Sequence, residues 1–397
     1  MKLFFVHEQF GTFGGAEGNV QQTANELKAR GHTVGLMHGS EPSGTEAVLQ
    51  EAFSPCFTLD KKNNRSRVES ALKEFNPDLV YVHKMADLEV VETLVNSKTP
   101  RVRMVHDHDI YCMRSYKYNY FSRRICTRAA SGYCVFPCGA SLARNHDQGF
   151  PLKWVSYKAK KREIQLNQQF QRLVVYSQYT KQELIRNGFA EKKIEIHVPI
   201  RKQQIGTNHS SFSDRNLILF AGQIIRGKGV DVLLEVLSMV RVPFECIILG
   251  EGNYRAHCEK LCHKLGLADR VHFKGFVLQE EIKSYYLDSS VFAVSSVWPE
   301  PFGMTGPEAM HFGLPVVAFD AGGISEWLKD GYNGYLVPWM DRAAYAARLE
   351  DLLLNKELGR QMGERGREWA AEQYDFTKYI ADLENMFEQV IAEAKDQ

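Results

Sequence analysis

The stretch Trp298–Glu326, WPEPFGMTGPEAMHFGLPVVAFDAGGISE, places two carboxylates, two tight turns and a proline-started helix within 29 residues. Glu300 and Glu308 have seven residues between them. Pro307 suits the first position of a helix, where its missing N–H would be unpaired anyway, and Gly313 followed by Pro315 reads as the matching stop. The spacing therefore predicts a short helix from Pro307 to Phe312. Its N-terminus carries partial positive charge and free N–H groups, so a diphosphate is expected there, with Glu300 in the loop before it and Glu308 in its first turn. The apolar run Pro315 to Phe319 reads as a buried strand, and Ala321-Gly322-Gly323 as a turn opening the next helix at Glu326. Alone, two such glutamates are ordinary loop and helix-start carboxylates.

The rest of the chain supplies the context. Its 397 residues, 44% hydrophobic, imply two or more globular domains. The net charge of +1 argues against generic nucleic-acid binding. That charge is uneven: Arg101 to Arg172 holds 14 Lys/Arg against 4 Asp/Glu, so the segment carries +10 and the remainder −9, which predicts one basic face. Lys2 precedes only Leu3 to Val6, too short for a signal peptide, and no run approaches the roughly 18 apolar residues of a spanning helix. The expected location is the cytoplasm, with an anionic membrane surface as a possible partner.

Strand and helix patterns alternate throughout. Lys2 to Val6 is a strand, followed by a loop with glycines 11, 14 and 15 and a helical pattern from Ala16 to Arg30 that stops at Gly31. Thr33 to Met37, Asp78 to Val82 and Val102 to Val105 continue the order of a parallel sheet, and His106-Asp107 stands at the C-terminal end of its strand, where such sheets place ligands. Cys112, Cys126, Cys134 and Cys138 then follow with 13, 7 and 3 residues between them. In a reducing cytoplasm such a tetrad reads as a structural zinc or iron–sulfur site or as unligated buried thiols, whereas Cys258 and Cys262 read as core. Pro151 to Phe170 reads as a helix whose Trp154, Tyr157 and Ile164 are interleaved with Lys153, Lys158, Lys160, Lys161 and Arg162, either a solvated face or one lying on an anionic surface. Strands Leu173 to Tyr176 and Ile194 to Val198 flank a helix from Thr180 to Asn187. Arg201 to Asn216 is a polar linker. Leu217 to Phe220 restarts a sheet, and a second glycine loop, Ala221 to Gly229, leads into a helix from Val230 to Val240. Phe244 to Leu249, Val271 to Phe273 and Phe292 to Ser295 are further strands. The chain ends in three helices, Arg342 to Leu354, Lys356 to Glu372 and Phe376 to Ala394.

The order Glu-Pro-Phe-Gly, Glu-Ala-Met, Gly-x-Pro-Val-Val, Gly-Gly-x-x-Glu, Asp330-Gly331 and Gly334 closely resembles retaining glycosyltransferases of family 4. The resemblance implies an α/β architecture of the GT-B type, two Rossmann-like domains facing across a cleft. Here these would be residues 1–199, an acceptor domain with a cysteine-containing insertion at about 110–150, and 200–375, a donor domain. The final helix, about 376–397, would cross back to the first. The implied donor substrate is a nucleoside-diphosphate sugar, and the acceptor a glycan, a lipid-linked group or a small molecule bearing a hydroxyl. Gly14-Gly15-Ala16-Glu17 matches the family's phosphate-facing loop, and His106 its contact to the donor sugar. Lys228 matches the family's lysine, while Gln223 replaces its usual arginine, a role that Arg226 would have to take over. Phe276 and Val277 fall where the nucleobase rests. Phe302, Gly303, Met304 and Thr305 would line the donor, with Glu308 on the ribose and Glu300 serving the sugar. The reading finds no Asp-x-Asp metal motif and so expects no catalytic cation, and it favours front-face attack with retention. Two other readings keep the fold: a nucleotide-sugar epimerase, and a catalytically silent nucleotide-sugar-binding subunit.

Overall fold

A computed structural model describes residues 1–8, 15–39, 51–60, 63–144, 152–200 and 213–396. The chain divides into two compact units. The first comprises Met1–Asn119, Cys126–Arg201 and Phe376–Gln397, and the second Tyr120–Ile125 and Lys202–Asp375.

The first unit is built on seven strands: β1 (Lys2–His7), β2 (Thr33–His38), β3 (Cys56–Thr58), β4 (Leu79–Val82), β5 (Arg101–Met104), β8 (Arg172–Val175) and β9 (Ile194–Ile196). They run parallel in the order β3-β2-β1-β4-β5-β8-β9. Strands β1 and β4 are buried along their whole length apart from Lys2, which is why they read as apolar runs rather than alternating ones, and β5 is equally buried although Arg101 and Arg103 alternate with Val102 and Met104 in it. A separate antiparallel pair, β6 (Leu142–Arg144) and β7 (Leu152–Trp154), lies after the cysteine stretch. The last helix, Phe376–Lys395, buries Tyr379, Leu383, Met386, Phe387 and Val390 in this unit. Its Phe387 ring meets Tyr81 edge-on at 5.1 Å, and Glu384 pairs with Arg30 at 2.7 Å and His32 at 2.6 Å.

The second unit holds β10 (Leu217–Ala221), β11 (Glu245–Leu249), β12 (Val271–Gly275), β13 (Val291–Val294), β14 (Val316–Phe319) and β15 (Gly334–Val337), parallel in the order β12-β11-β10-β13-β14-β15. In both sheets the chain builds outward on one side, returns to the centre and builds outward on the other. Ligands of such sheets bind at the carboxyl ends of the strands where this reversal occurs. Those points are β1/β4 in the first unit and β10/β13 in the second. Cys258 and Cys262 lie in the second unit's core.

Several sequence expectations need correction. The segment from Pro151 to Phe170 is not one helix: Leu152–Trp154 is strand β7 and the helix is Tyr157–Asn167, opened by Ser156, whose hydroxyl accepts from the Ala159 amide. The helix after the second glycine loop ends at Leu237 rather than Val240. The +10 segment is not a single basic face either. Arg101, Arg103 and Lys117 are buried, Lys160 pairs with Glu163, Arg162 with Glu92, and Arg172 with Glu195 and Glu393. Opposite charges from elsewhere in the sequence fold onto it, a pattern that a running count of charge does not register. Among the described residues no helix is long and apolar enough to cross a membrane.

Candidate active site

In the second unit the loops after β10 and β13 meet at the reversal point. After β10 the chain turns through Gly222 and Gln223 to a tight 3-10 turn, Arg226–Lys228, and enters the helix Val230–Leu237 through Gly229, whose φ of +69° suits a residue without a Cβ. The carbonyl of Gly227 accepts from the amides of Val297 and Trp298 at 2.9 and 3.1 Å, and the Lys228 carbonyl accepts from Ser295 Oγ at 2.9 Å. The loop after β13 thus fixes the backbone of Lys228.

The same loop carries Glu300, 3% exposed. Its backbone is clamped by the turn Ala321–Gly323: the Glu300 amide donates to Ala321 O at 3.1 Å, and Gly323 N donates to Glu300 O at 2.8 Å. Gly322 has φ +71°, and a Cβ there would stand 2.4 Å from Glu300 O, so only glycine fits. Lys228 Nζ and Trp298 Nε1 donate to Glu300 Oε1 at 2.7 and 2.8 Å, and Ser296 Oγ donates to the same oxygen. Among the described residues no donor reaches Oε2. Burial alone would raise the Glu300 carboxyl, but Lys228 and these hydrogen bonds outweigh it and hold the group below the usual carboxylate range.

The following helix is Thr305–His311, two residues earlier than the proline rule places it, so Pro307 is its third residue. A helix has four unpaired N–H groups at its start, and proline is tolerated at any of these first positions, not only the first. Gly306 is needed by packing, because a Cβ there would lie 2.1 Å from the Trp327 ring. Its amide donates to Gly303 O at 3.1 Å and is not available to a ligand in this arrangement. Glu308 is half-buried in the first turn, as are Gly303, Met304 and Thr305, while Phe302 is buried against Tyr374. Gly313, at φ +76°, ends the helix as the sequence indicates.

At the end of β12, Phe276 is 58% exposed and Val277 half-buried, so Phe276 is not a core residue. Gln223 is exposed. Arg226 is engaged: its guanidinium stacks over the Tyr120 ring at 4.5 Å and donates to Tyr120 O.

In the first unit the candidates cluster at the ends of β1, β4 and β5. Gly14 lies outside the described residues, as do Gly11 and residues 201–212 of the linker, and Gly15 opens the helix Gly15–Ala29. His106 has both ring nitrogens engaged, Nδ1 with the Tyr176 hydroxyl at 2.6 Å and Nε2 with His83 Nδ1 at 3.1 Å. The run is satisfied when Tyr176 donates to Nδ1 and the His106 proton sits on Nε2. Burial pushes the His106 pKa down to about 3, so the ring is neutral at physiological pH. A sugar contact through His106 requires one of these bonds to exchange.

Asp107-His108-Asp109 is an Asp-x-Asp tripeptide that the sequence reading passed over. Burial and Asp109 push the Asp107 carboxyl up to about 7, and the two side chains hydrogen-bond to each other. Their surroundings are cationic: Lys84 lies 3.6 Å from Asp107, and Arg103 and Lys160 act on Asp109. That is an ion-pair environment. Cys112, Cys126, Cys134 and Cys138 are free and half-buried, and among the described residues no group of three or more His, Cys, Asp or Glu is arranged to hold a metal. Within this stretch Lys117 is buried, paired with Glu183 at 2.9 Å and donating to Arg128 O. The sequence reading missed Ser296, Trp298, Tyr176 and the Arg123–Asp231 pair. Only Trp298, two residues before Glu300 and so close to it, carried a signal.

Comparison with known proteins bears on the family and the fold. The chain shares 36% identity over 126 residues with an uncharacterised glycosyltransferase of Methanocaldococcus jannaschii, 31% of this chain and 32% of that one. It shares 35% over 163 residues with the D-inositol 3-phosphate glycosyltransferase of Streptomyces coelicolor, 38% of this chain and 35% of that one. The match to a Bacillus subtilis spore coat protein SA covers 49% of that protein, so the chain spans between about a third and a half of these curated relatives. Anabaena HepE in complex with UDP and glucose superimposes with a TM-score of 0.76 at 18% identity, over 98% of this chain and 100% of that one. Sucrose-phosphate synthase from Thermosynechococcus elongatus does so with a TM-score of 0.73 at 18% identity, over 99% and 100%. Both likenesses are of fold. The model for Glycosyltransferase Family 4 matches residues 13–197 and that for Glycosyl transferases group 1 matches residues 202–369. With only 198–201 between the two matches, the chain belongs to the family 4 glycosyltransferases of the GT-B fold.

Proposed function

We propose that the protein is a retaining glycosyltransferase that moves a sugar from a nucleoside-diphosphate donor to an acceptor hydroxyl. The observation that carries this reading is Glu300: buried, ionised, anchored through Oε1 by three donors and presenting Oε2 at the reversal point of the second sheet. Breaking an anomeric bond creates an oxocarbenium-like centre and a leaving diphosphate, which call for a carboxylate near the sugar and positive charge near the phosphates. Glu300 serves the first. Lys228 serves the second, exchanging its bond to Glu300 for the diphosphate when the donor arrives. The half-buried Glu308 accepts from the ribose hydroxyls, and exposed Phe276, with Val277, offers a face to the base. Retention follows a front-face course, the leaving phosphate taking the acceptor proton without a catalytic cation. UDP as the nucleotide is suggested by its presence in the HepE complexes. The acceptor bears a hydroxyl, and the exposed Lys158 and Lys161 favour an anionic or lipid-linked one over a neutral one.

The test separates the two glutamates. Glu308→Gln weakens binding of a nucleoside diphosphate measured by isothermal titration, whereas Glu300→Gln chiefly lowers turnover. If both variants keep affinity and rate within about twofold, roughly 0.4 kcal/mol, the assignment is wrong.

A further inference from the structure

The six residues Tyr120–Ile125 belong to the second unit although they interrupt the first in sequence. They grip the turn that carries Lys228 at two points. Before Lys228, Arg226 stacks on the Tyr120 ring and donates to the Tyr120 carbonyl. After it, Asp231 in the first turn of the helix Val230–Leu237 receives both terminal nitrogens of Arg123, one at 3.2 Å to Oδ1 and the other to Oδ2. This is the two-pronged Arg–carboxylate arrangement, rigid in direction as well as strong. The pair is buried, with side-chain exposures of 11% and 10%. Arg123 is held at φ +58°, a left-handed backbone conformation that non-glycine residues adopt at a cost of about 1 kcal/mol or more, so the contacts made by its side chain hold it there.

A buried carboxylate stripped of its partner is strongly unfavourable, so Arg123 and Asp231 hold together. Arg226 is held to the strap by its stack on Tyr120 and its bond to the Tyr120 carbonyl, an engagement it would have to loosen to take over from the arginine that Gln223 replaces.

We propose that Tyr120 and Arg123 are positioning residues: the strap braces the turn Arg226–Lys228 from both sides and so sets Lys228 to receive the donor diphosphate. The proposal rests on the donor-site reading above. Loss of a brace leaves the base pocket intact and loosens the phosphate end. It therefore costs affinity for a nucleoside diphosphate and not for the nucleoside alone, a discrimination that general destabilisation does not produce.

Titration of the full-length protein with UDP and with uridine reads this directly. Arg123→Ala and Tyr120→Ala each weaken UDP about tenfold or more and leave uridine within about twofold, and the exchanged pair Arg123→Asp with Asp231→Arg recovers most of the UDP affinity. Tyr120→Ala removes the outer grip without uncovering a buried charge, so it remains informative where Arg123→Ala fails to fold. UDP affinity within twofold of wild type in Tyr120→Ala and in any folded Arg123 variant overturns the proposal, and so does equal weakening of UDP and uridine. Lys228→Ala in the same titration separates the two readings: if it weakens UDP while the strap variants do not, the strap alone is wrong, and if it too leaves UDP unchanged, the donor-site reading falls with it.

Discussion

Glu300 and Lys228 form a pair whose two members have unequal shelter, 4% and 23% exposed at the side chain. Lys228 is the nearest full charge holding the carboxylate ionised against burial, aided by Ser296 and Trp298. A depressed carboxyl contributes stability that is present above its unfolded pKa, about 4.3, and is lost as pH falls through the folded value. Lys228→Met reverses the balance. Burial then dominates, the folded pKa rises above the unfolded one, and stability is lost as pH increases through that range. The variant is expected to be less stable than the parent by about 3 kcal/mol at pH 7, with the gap narrowing toward pH 5 as Glu300 takes up a proton. Denaturant titrations of both proteins at the two pH values check this. A gap that is constant with pH means that Glu300 does not feel Lys228.

At the scale of elements, the helix Tyr157–Asn167 shows why charge counting along the chain overstated the basic surface. Lys160 reaches Glu163 at 2.6 Å and the Asp109 carbonyl, and Arg162 reaches Glu92, so both serve the fold. Lys158 and Lys161 are exposed, and neither forms an ion pair with a described residue. If this helix meets an anionic bilayer, these two supply the attraction, at about 1 kcal/mol each. The double variant Lys158→Ser with Lys161→Ser should then lose roughly 30-fold in binding to anionic vesicles while keeping its melting temperature. Lys160→Ser should lower the melting temperature. Co-sedimentation with anionic and neutral vesicles, with and without several hundred millimolar salt, decides the matter. Equal binding of the parent and the double variant assigns these lysines to solubility and makes a soluble acceptor the better reading.

For the whole molecule, the parts legible in the sequence were those that repeat locally. Apolar runs such as Val316–Phe319 are short and buried on both faces, and glycines at positive φ, such as Gly322 and Gly229, mark close backbone approaches that few other residues permit. Glu300 was singled out by its place before a proline-marked helix start and Lys228 by the family resemblance, and both stand beside such signals. Partners joined across long separations were not: His106 to Tyr176 spans 70 residues and Arg123 to Asp231 spans 108, and nothing periodic connects them. The last helix, Phe376–Lys395, is the largest case. Its sequence is plainly amphipathic, yet the surface that receives it lies more than 300 residues earlier, at Thr23, Arg30, His32 and Tyr81. Its stability is tertiary rather than intrinsic, because the buried stripe of Tyr379, Leu383, Phe387 and Val390 has value only against that surface. Phe387 is fully buried and touches Tyr81 in the strand β4. Phe387→Ala should therefore destabilise the first unit by about 3 to 5 kcal/mol, since no small shift of one helix fills the space of a phenyl ring. Hydrogen exchange on the full chain locates the loss. Amides of β4 and of the helix Gly15–Ala29 should exchange faster, while those of β10 and β13 keep their protection because their hydrogen bonds and core lie within the second unit. Undiminished protection in β4 would show that the last helix contributes little to the fold it packs on.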